Sequence, residues 1–363
     1  MHGDPRPACL VTGAVSSYRR EPFRLLGLAE NVEVLAWRGA GLPVPGLRVR
    51  HVTQAGAVRL AASGRYRAVI ASLGGRMALP GCYVAARVRG IPFVLWATIW
   101  EHPRTAVHSL SWLPTRHLYR HAEAVATYGA HVSRYVERAR GSRGGVHVAP
   151  QAVDVAHYGA PVPAESRRRA REEAIGGDRA GPLFLYVGRL EHEKGVPVLL
   201  EAWRTAALGR GAGLALAGTG SLAEEVARSG RGVRALGYVS PTELPALYAA
   251  ADALVLPSVR TATFTEPWGL VVNEAMLQST PVIASDAVGA AAGGLVRDGR
   301  NGLVFPAGVA EALAARLRLL AGARELRERL GAAARDDAAG LTPAAWAQGM
   351  GRALAAAGAS RGG

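Results

Sequence analysis

The feature that most constrains this chain is a rhythm of short apolar runs, each leaving through a glycine or a polar turn, with helix-like stretches between them. The runs fall at residues 8–12, 32–37, 68–73, 92–96, 124–127 and 146–149. Helical character lies at 19–30, 80–89, 111–121 and 130–140. Non-alternating apolar runs interleaved with helices predict strands of a parallel sheet covered on both faces. After a charged stretch at 165–173, which reads as an exposed helix, the rhythm restarts at 181–190. It continues through 213–217, 233–236, 253–257, 281–285 and 302–305. A chain of 363 residues also exceeds a comfortable single core. The expected fold is therefore α/β, with two doubly wound domains, 1–160 and 161–341, facing a central cleft. The Ala-rich end is mostly helical with a break near Gly340, and a last helix at about 342–363 is expected to pack back on the first domain. Ligands of such sheets lie at the carboxyl ends of the strands.

Composition narrows the function classes. With 49% apolar and 20% charged residues the chain reads as a folded soluble protein. No apolar run reaches the length of a membrane span, and the first residues lack the basic and apolar regions of a signal peptide. Cys9 and Cys82, both in apolar surroundings, read as reduced core thiols and imply a cytoplasmic protein. The net charge of +15 is uneven. Residues 1–160 hold 20 arginines against 8 acids, a net +12; the remainder holds 23 basic against 20 acidic residues, a net +3. Arg116 and Arg120, and Arg134 and Arg138, are spaced to share helix faces, with Arg140 and Arg143 close by. The candidate partners are an anionic membrane surface, with peripheral attachment at its inner face, or an anionic acceptor. No nucleic-acid module is recognisable, so nucleic acid is not an expected partner. A solvated arginine-rich surface explains the charge equally well.

Three stretches carry chemistry. Residues 188–195, Gly-Arg-Leu-Glu-His-Glu-Lys-Gly, follow an apolar strand; Arg189 and Lys194 can converge there on an anion, and Gly188 permits close backbone approach. Lys194 is the only lysine beside 42 arginines. It reads as an exposed loop charge whose loss would leave the fold intact. Residues 217–221, Ala-Gly-Thr-Gly-Ser, form a glycine turn too short for a dinucleotide fingerprint. In residues 264–276 two glutamates, Glu266 and Glu274, stand eight apart around Pro267, Trp268 and Gly269. Pro267 reads as the first turn of a helix, which puts Glu266 on the entering loop and Glu274 about two turns in. Free N–H groups at Gly269 and Leu270 complete a site for a ligand with hydroxyls at both ends and an anion between, such as a sugar nucleotide.

Together with 236–258, 266–284 and Asp298-Gly299-Arg300-Asn301-Gly302, these stretches resemble the GT4 family of retaining glycosyltransferases, with its E-x7-E motif. Residues 149–154 resemble the family's crossing between domains, with Gln151-Ala152 where Asn-Gly is usual. The resemblance implies the GT-B fold, two Rossmann-like domains, and transfer of a sugar, a hexose by expectation and most often UDP-linked, to an acceptor hydroxyl. It implies that Arg189 and Lys194 hold the donor diphosphate, with the backbone of Gly188 close by. Glu274 takes the ribose hydroxyls, and Glu266 and the backbone of Gly269, Leu270 and Val271 take the sugar and phosphate. The backbone at Val239 meets the base. Arg189, Lys194 and Glu266 form the catalytic set; no metal and no other cofactor is expected. In the first domain only Gly13 stands where relatives carry a Gly-Gly pair against the donor phosphate. Thr98, Glu101 and His102 are the acceptor-side candidates, where many relatives place a His. The acceptor classes left open are a sugar, a lipid-linked saccharide and a secondary metabolite. The alternatives are a membrane-recruited or scaffolding protein of the same fold without turnover, and a sugar-nucleotide epimerase.

Overall fold

A computed structural model describes residues 4–39, 43–102, 105–176 and 180–362. It divides into two compact units, Met1–Ala152 with Thr342–Gly363, and Val153–Leu341. The first unit holds β1 (Ala8–Thr12), β2 (Val32–Ala36), β3 (Arg48–His51), β4 (Ala68–Ser72), β5 (Phe93–Ala97), β6 (Ala124–Thr127) and β7 (Val146–Val148). They form one parallel sheet in the order β3-β2-β1-β4-β5-β6-β7. In register, Leu10 lies between Val34 and Ile70, and all three are fully buried. The apolar runs become strands because every residue of β1, β2 and β5 is covered from both faces.

The second unit holds β8 (Leu183–Val187), β9 (Gly213–Ala217), β10 (Val233–Gly237), β11 (Ala253–Leu256), β12 (Val282–Ser285) and β13 (Gly302–Phe305), in the order β10-β9-β8-β11-β12-β13. Strand order reverses between β1 and β4 in the first sheet and between β8 and β11 in the second. Crevices for ligands open at such points, beyond the carboxyl ends of the strands.

Two elements of the first unit are absent from the expected pattern. Strand β3, Arg-Val-Arg-His, is a mostly exposed edge strand, so it has no apolar run to announce it. Helix Gln54–Ala62 is weakly amphipathic, and it starts where the Thr53 hydroxyl accepts the Gly56 N–H. The last helix, Pro343–Gly362, packs within the first unit. Its Trp346 is fully buried, 5.4 Å from Phe23 and 5.5 Å from Trp96 between ring centres. Among the described residues no helix is long and apolar enough to cross a membrane.

Candidate functional site

At the carboxyl edge of the second sheet, the turn after β8 packs directly on the turn after β9. Gly188 N–H donates to Ala217 O at 3.0 Å and Leu190 N–H to Thr219 O at 2.9 Å. A Cβ on Gly218 would sit 1.8 Å from Gly188 O, so only glycine lets the two turns close. Ser221 fastens them from the side, its hydroxyl donating to Glu191 at 2.5 Å. The 217–221 turn is thus a support for the 188–195 turn.

That support aims a short 3-10 turn, His192–Lys194, at β11. Gly195 follows at φ 74°, and a Cβ there would lie 1.9 Å from Pro257 O. Lys194 Nζ lies 2.5 Å from Glu266 Oε2 and 4.8 Å from the centre of the Phe264 ring. The Ser258 hydroxyl donates to the same carboxylate oxygen at 3.2 Å. Only 16% of the Lys194 side chain and 9% of that of Glu266 are exposed. Lys194 is therefore one half of a sheltered ion pair, contrary to the expectation of an exposed loop charge: the glycine turns press it against β11. Arg189 behaves otherwise. Its guanidinium bonds Glu193 at 2.9 Å and stays largely in solvent, while its carbonyl accepts the Tyr186 hydroxyl at 2.6 Å.

The second correction concerns the helix beyond Glu266. It begins at Leu270, with Gly269 at its N-cap, and not at Pro267. Residues 266–268 instead run as a bridge beside residue 288, with Gly289 N–H donating to Glu266 O and Ala290 N–H to Trp268 O. Glu274 therefore lies just over one turn in. The N–H groups of Leu270 and Val271 have no acceptor within the helix, as its geometry requires. Glu274 is 9% exposed and accepts the Tyr248 hydroxyl at 2.6 Å. Burial pushes its carboxyl above the ordinary value, and hydrogen bonds from the Tyr248 and Tyr158 hydroxyls partly offset this. Sequence reasoning missed both tyrosines, Tyr248 buried and Tyr158 half-buried, because they reach Glu274 only when distant segments meet. Val239 is half-buried after β10, beside exposed Tyr238, where the two line a depression of about 410 Å³.

In the first unit, Gly13 leaves β1 and its carbonyl accepts the Arg38 N–H at 2.6 Å. Thr98, Glu101 and His102 follow β5, all half-buried. His102 lies 5.1 Å from Trp112 between ring centres, within an aromatic group that includes Tyr135. Burial, aided by the charge of Glu101, pushes the Tyr135 hydroxyl up to about 12. A second glycine turn, Gly74-Gly75, lies beyond β4, next to β1 in the sheet. It was legible as a Gly-Gly pair straight after an apolar run.

These arrangements make the second unit a carrier of paired charges at a sheet's carboxyl edge. Residues 168–337, which lie within the second unit, match the model of the family described as glycosyl transferases group 1. Among individual relatives, the chain is 29% identical over 265 residues to alpha-D-kanosaminyltransferase of Streptomyces kanamyceticus, covering 68% of this chain and 66% of that one. It is 33% identical over 237 residues to D-inositol 3-phosphate glycosyltransferase of Xylanimonas cellulosilytica, covering 58% and 51%. It is 33% identical over 182 residues to sulfoquinovosyl transferase SQD2 of Arabidopsis thaliana, covering 47% and 33%. The chain thus spans a third to two thirds of the length of these curated relatives. In fold it is similar to the Anabaena protein HepE, solved in complex with UDP, at a TM-score of 0.78 and 19% identity over 96% of this chain and 99% of that one. Sucrose-phosphate synthase from Thermosynechococcus elongatus aligns with a TM-score of 0.73 and 19% identity, over 96% and 98%. Two Rossmann-like α/β units of the GT-B kind are thereby established.

Proposed function

We propose that this protein is a retaining, metal-independent glycosyltransferase of the GT4 kind, moving a hexose from a UDP-linked donor to an acceptor hydroxyl. The observation that carries the reading is the sheltered Lys194–Glu266 pair on the same edge as the buried Glu274. Lys194 and Arg189 neutralise the diphosphate as the glycosidic bond breaks, a charge stabilisation strengthened where water is scarce. Arg189, on the surface and held by Glu193, swings onto the phosphate. The N–H groups of Leu270 and Val271 add the positive end of a helix, and Gly188 and Gly13 leave room for the phosphates. Glu266 receives the sugar hydroxyls while it orients Lys194. Glu274, its acceptor lone pairs pointed by two tyrosines, receives the ribose hydroxyls, and the Val239 backbone meets the base. The departing phosphate takes the acceptor proton, so the acceptor attacks from the face the nucleotide leaves. The first unit, with Thr98, Glu101 and His102, handles the acceptor. HepE was solved with UDP and with UDP-glucose, which supports the choice of donor. The deciding experiment is calorimetric titration with UDP, GDP, ADP and TDP, followed by an assay for nucleotide release from the matching sugar nucleotide. Absence of binding to all four would end this reading.

One observation favours peripheral attachment to an anionic membrane surface at its inner, cytoplasmic face. Met77, Val84 and Val88 are exposed by 57%, 56% and 78%; the two valines lie on one stripe of helix Ala78–Arg89, and Met77 is its N-cap. Helix Ala106–His121 packs beside it, through the Tyr83 hydroxyl and His117, and adds exposed Leu113. Exposed Arg120 lies on that second helix, while Arg134 and Arg138 point outward from helix Ala130–Arg140. Arg140 is excluded from such a role, because its guanidinium is spent on the carbonyls of Tyr119 and Ala122.

A further inference from the structure

Between Glu33 and Glu101 the chain has no acid at all, yet it carries Arg38, Arg48, Arg50, Arg59, Arg65, Arg67, Arg76, Arg87 and Arg89. Four of the nine find a partner outside the stretch: Arg48 bonds Asn31, Arg50 pairs with Glu33, Arg67 with Glu30 and Arg87 with Glu123. Among the described residues, no side-chain hydrogen bond or ion pair ties Arg38 or Arg76, and both are exposed. Their placement is specific. Arg38 follows β2 and Arg76 follows β4, the strands on either side of β1. Both turns lie at the carboxyl edge, at the reversal of strand order where such a sheet opens its crevice.

Trp37 links the two turns. A Cβ built on Gly13 or on Gly74 would lie 3.8 Å from Cζ2 of its indole, and one on Gly75 would lie 3.0 Å away. The ring thus lies against both the turn after β1 and the turn after β4, with Arg38 and Arg76 one residue beyond its contacts. The side chain of Arg38 folds over Gly13, its Cδ 3.9 Å from the same built Cβ. The N–H groups of Met77 and Ala78, at the start of the next helix, are already spent on the Gln54 side chain at 3.0 and 3.1 Å. Charge at this crevice therefore has to come from the two guanidinium groups, whose forked donors match a phosphate.

We propose that the crevice of the first sheet, walled by Gly13 and Gly74-Gly75 and floored by Trp37, is a phosphate subsite in which Arg38 and Arg76 hold a phosphorylated acceptor. The assignment of the phosphate to an acceptor rests on the transferase reading above; the subsite itself does not. Binding of inorganic phosphate to the intact chain at low ionic strength, followed by 31P line broadening with saturating UDP present, tests it. Arg38→Ala/Arg76→Ala is expected to weaken phosphate about tenfold or more, the scale of one or two lost charged hydrogen bonds. UDP affinity should stay within twofold. Arg59→Ala/Arg65→Ala, equally exposed and also without an ion pair among the described residues, removes the same charge elsewhere on this unit and should change phosphate binding less than twofold. Equal weakening by both double variants would reduce the effect to general electrostatics and overturn the subsite, as would the absence of phosphate binding. Transfer from UDP-glucose to sugar phosphates and their dephosphorylated counterparts then tests the acceptor. Preference for the phosphorylated members, lost in Arg38→Ala/Arg76→Ala, supports it; transfer only to neutral sugars overturns it. Failure of UDP itself to bind would fall on the transferase reading, while the phosphate measurement still decides the subsite.

Discussion

The carboxyl edges of the two sheets handle charge in opposite ways. In the second unit each key charge is already matched: Lys194 with Glu266, Arg189 with Glu193, and Glu274 with two tyrosine hydroxyls. In the first, Arg38 and Arg76 stand exposed on a stretch, residues 34–100, that contributes no acid over 67 residues. A sheltered, matched pair is preorganised: it keeps its geometry without ligand, at the cost of desolvating both charges. An exposed, unmatched arginine costs little to keep and gains a partner only when an anion arrives. The contrast fits the proposed roles: a donor site in the second unit must hold one demanding geometry, while an acceptor subsite in the first selects by charge.

The sharpest way to break this comparison is Lys194→Ala. Turnover should fall about 10²-fold or more, as when a donor that stabilises transition-state charge is removed. Because Glu266 would keep a sheltered charge without its cation, stability should fall too, by about 1–3 kcal/mol. Steady-state nucleotide release and thermal unfolding measure the two effects. Near-normal turnover would refute the phosphate role of Lys194, and unchanged stability would show the ion pair to be energetically neutral.

Next comes Glu274→Gln, which separates binding from folding. Nucleotide affinity should drop by about 1–3 kcal/mol, since the proposed acceptor for the ribose hydroxyls loses its charge. Folding stability should respond in the other direction as pH rises. Burial raises the Glu274 carboxyl above its ordinary value, so the unfolded chain releases this proton first. The group's contribution to stability is then fully present below pH about 4.5 and is lost as pH climbs through the higher folded value. The difference in Tm between variant and wild type should accordingly move in favour of Glu274→Gln from pH 4 to pH 7. A shift in favour of the wild type would mean that the two tyrosine bonds outweigh burial.

The smallest effect concerns the first unit's surface. Vesicles with anionic headgroups should carry the protein in flotation at low salt and release it at about 0.5 M salt, where screening shortens to a few ångströms. Val84→Ser/Val88→Ser should weaken flotation a few-fold, since each exposed valine offers little apolar area. Flotation with neutral vesicles, or none with anionic ones at low salt, would remove the membrane reading.

Some of this was written locally. The strands 8–12, 124–127, 213–217 and 302–305 coincide with β1, β6, β9 and β13, because a covered parallel strand needs a continuous apolar run, visible in any five-residue window. The octet at 188–195 and the two glutamates marked the second unit's edge for the same reason: each motif is short and contiguous. The start of the helix at Leu270 rather than Pro267 was not visible. It depends on bonds that Glu266 and Trp268 make to Gly289 and Ala290, more than twenty residues away. The edge strand β3 was hidden because exposure on an edge removes the apolar signature.

What the sequence determined by itself is therefore the alternation of strand and helix, the two-unit division of labour in charge, and the chemical identity of Lys194, Glu266 and Glu274. The tertiary structure decided which charges would be matched. It brought Lys194 to Glu266 across 72 residues, Tyr248 and Tyr158 to Glu274, and Gly13, Trp37 and Gly75 into one crevice. The reason is physical. Periodicity and propensity act over a few residues, whereas desolvation and pairing depend on which strands become neighbours in a sheet whose crossovers join distant segments.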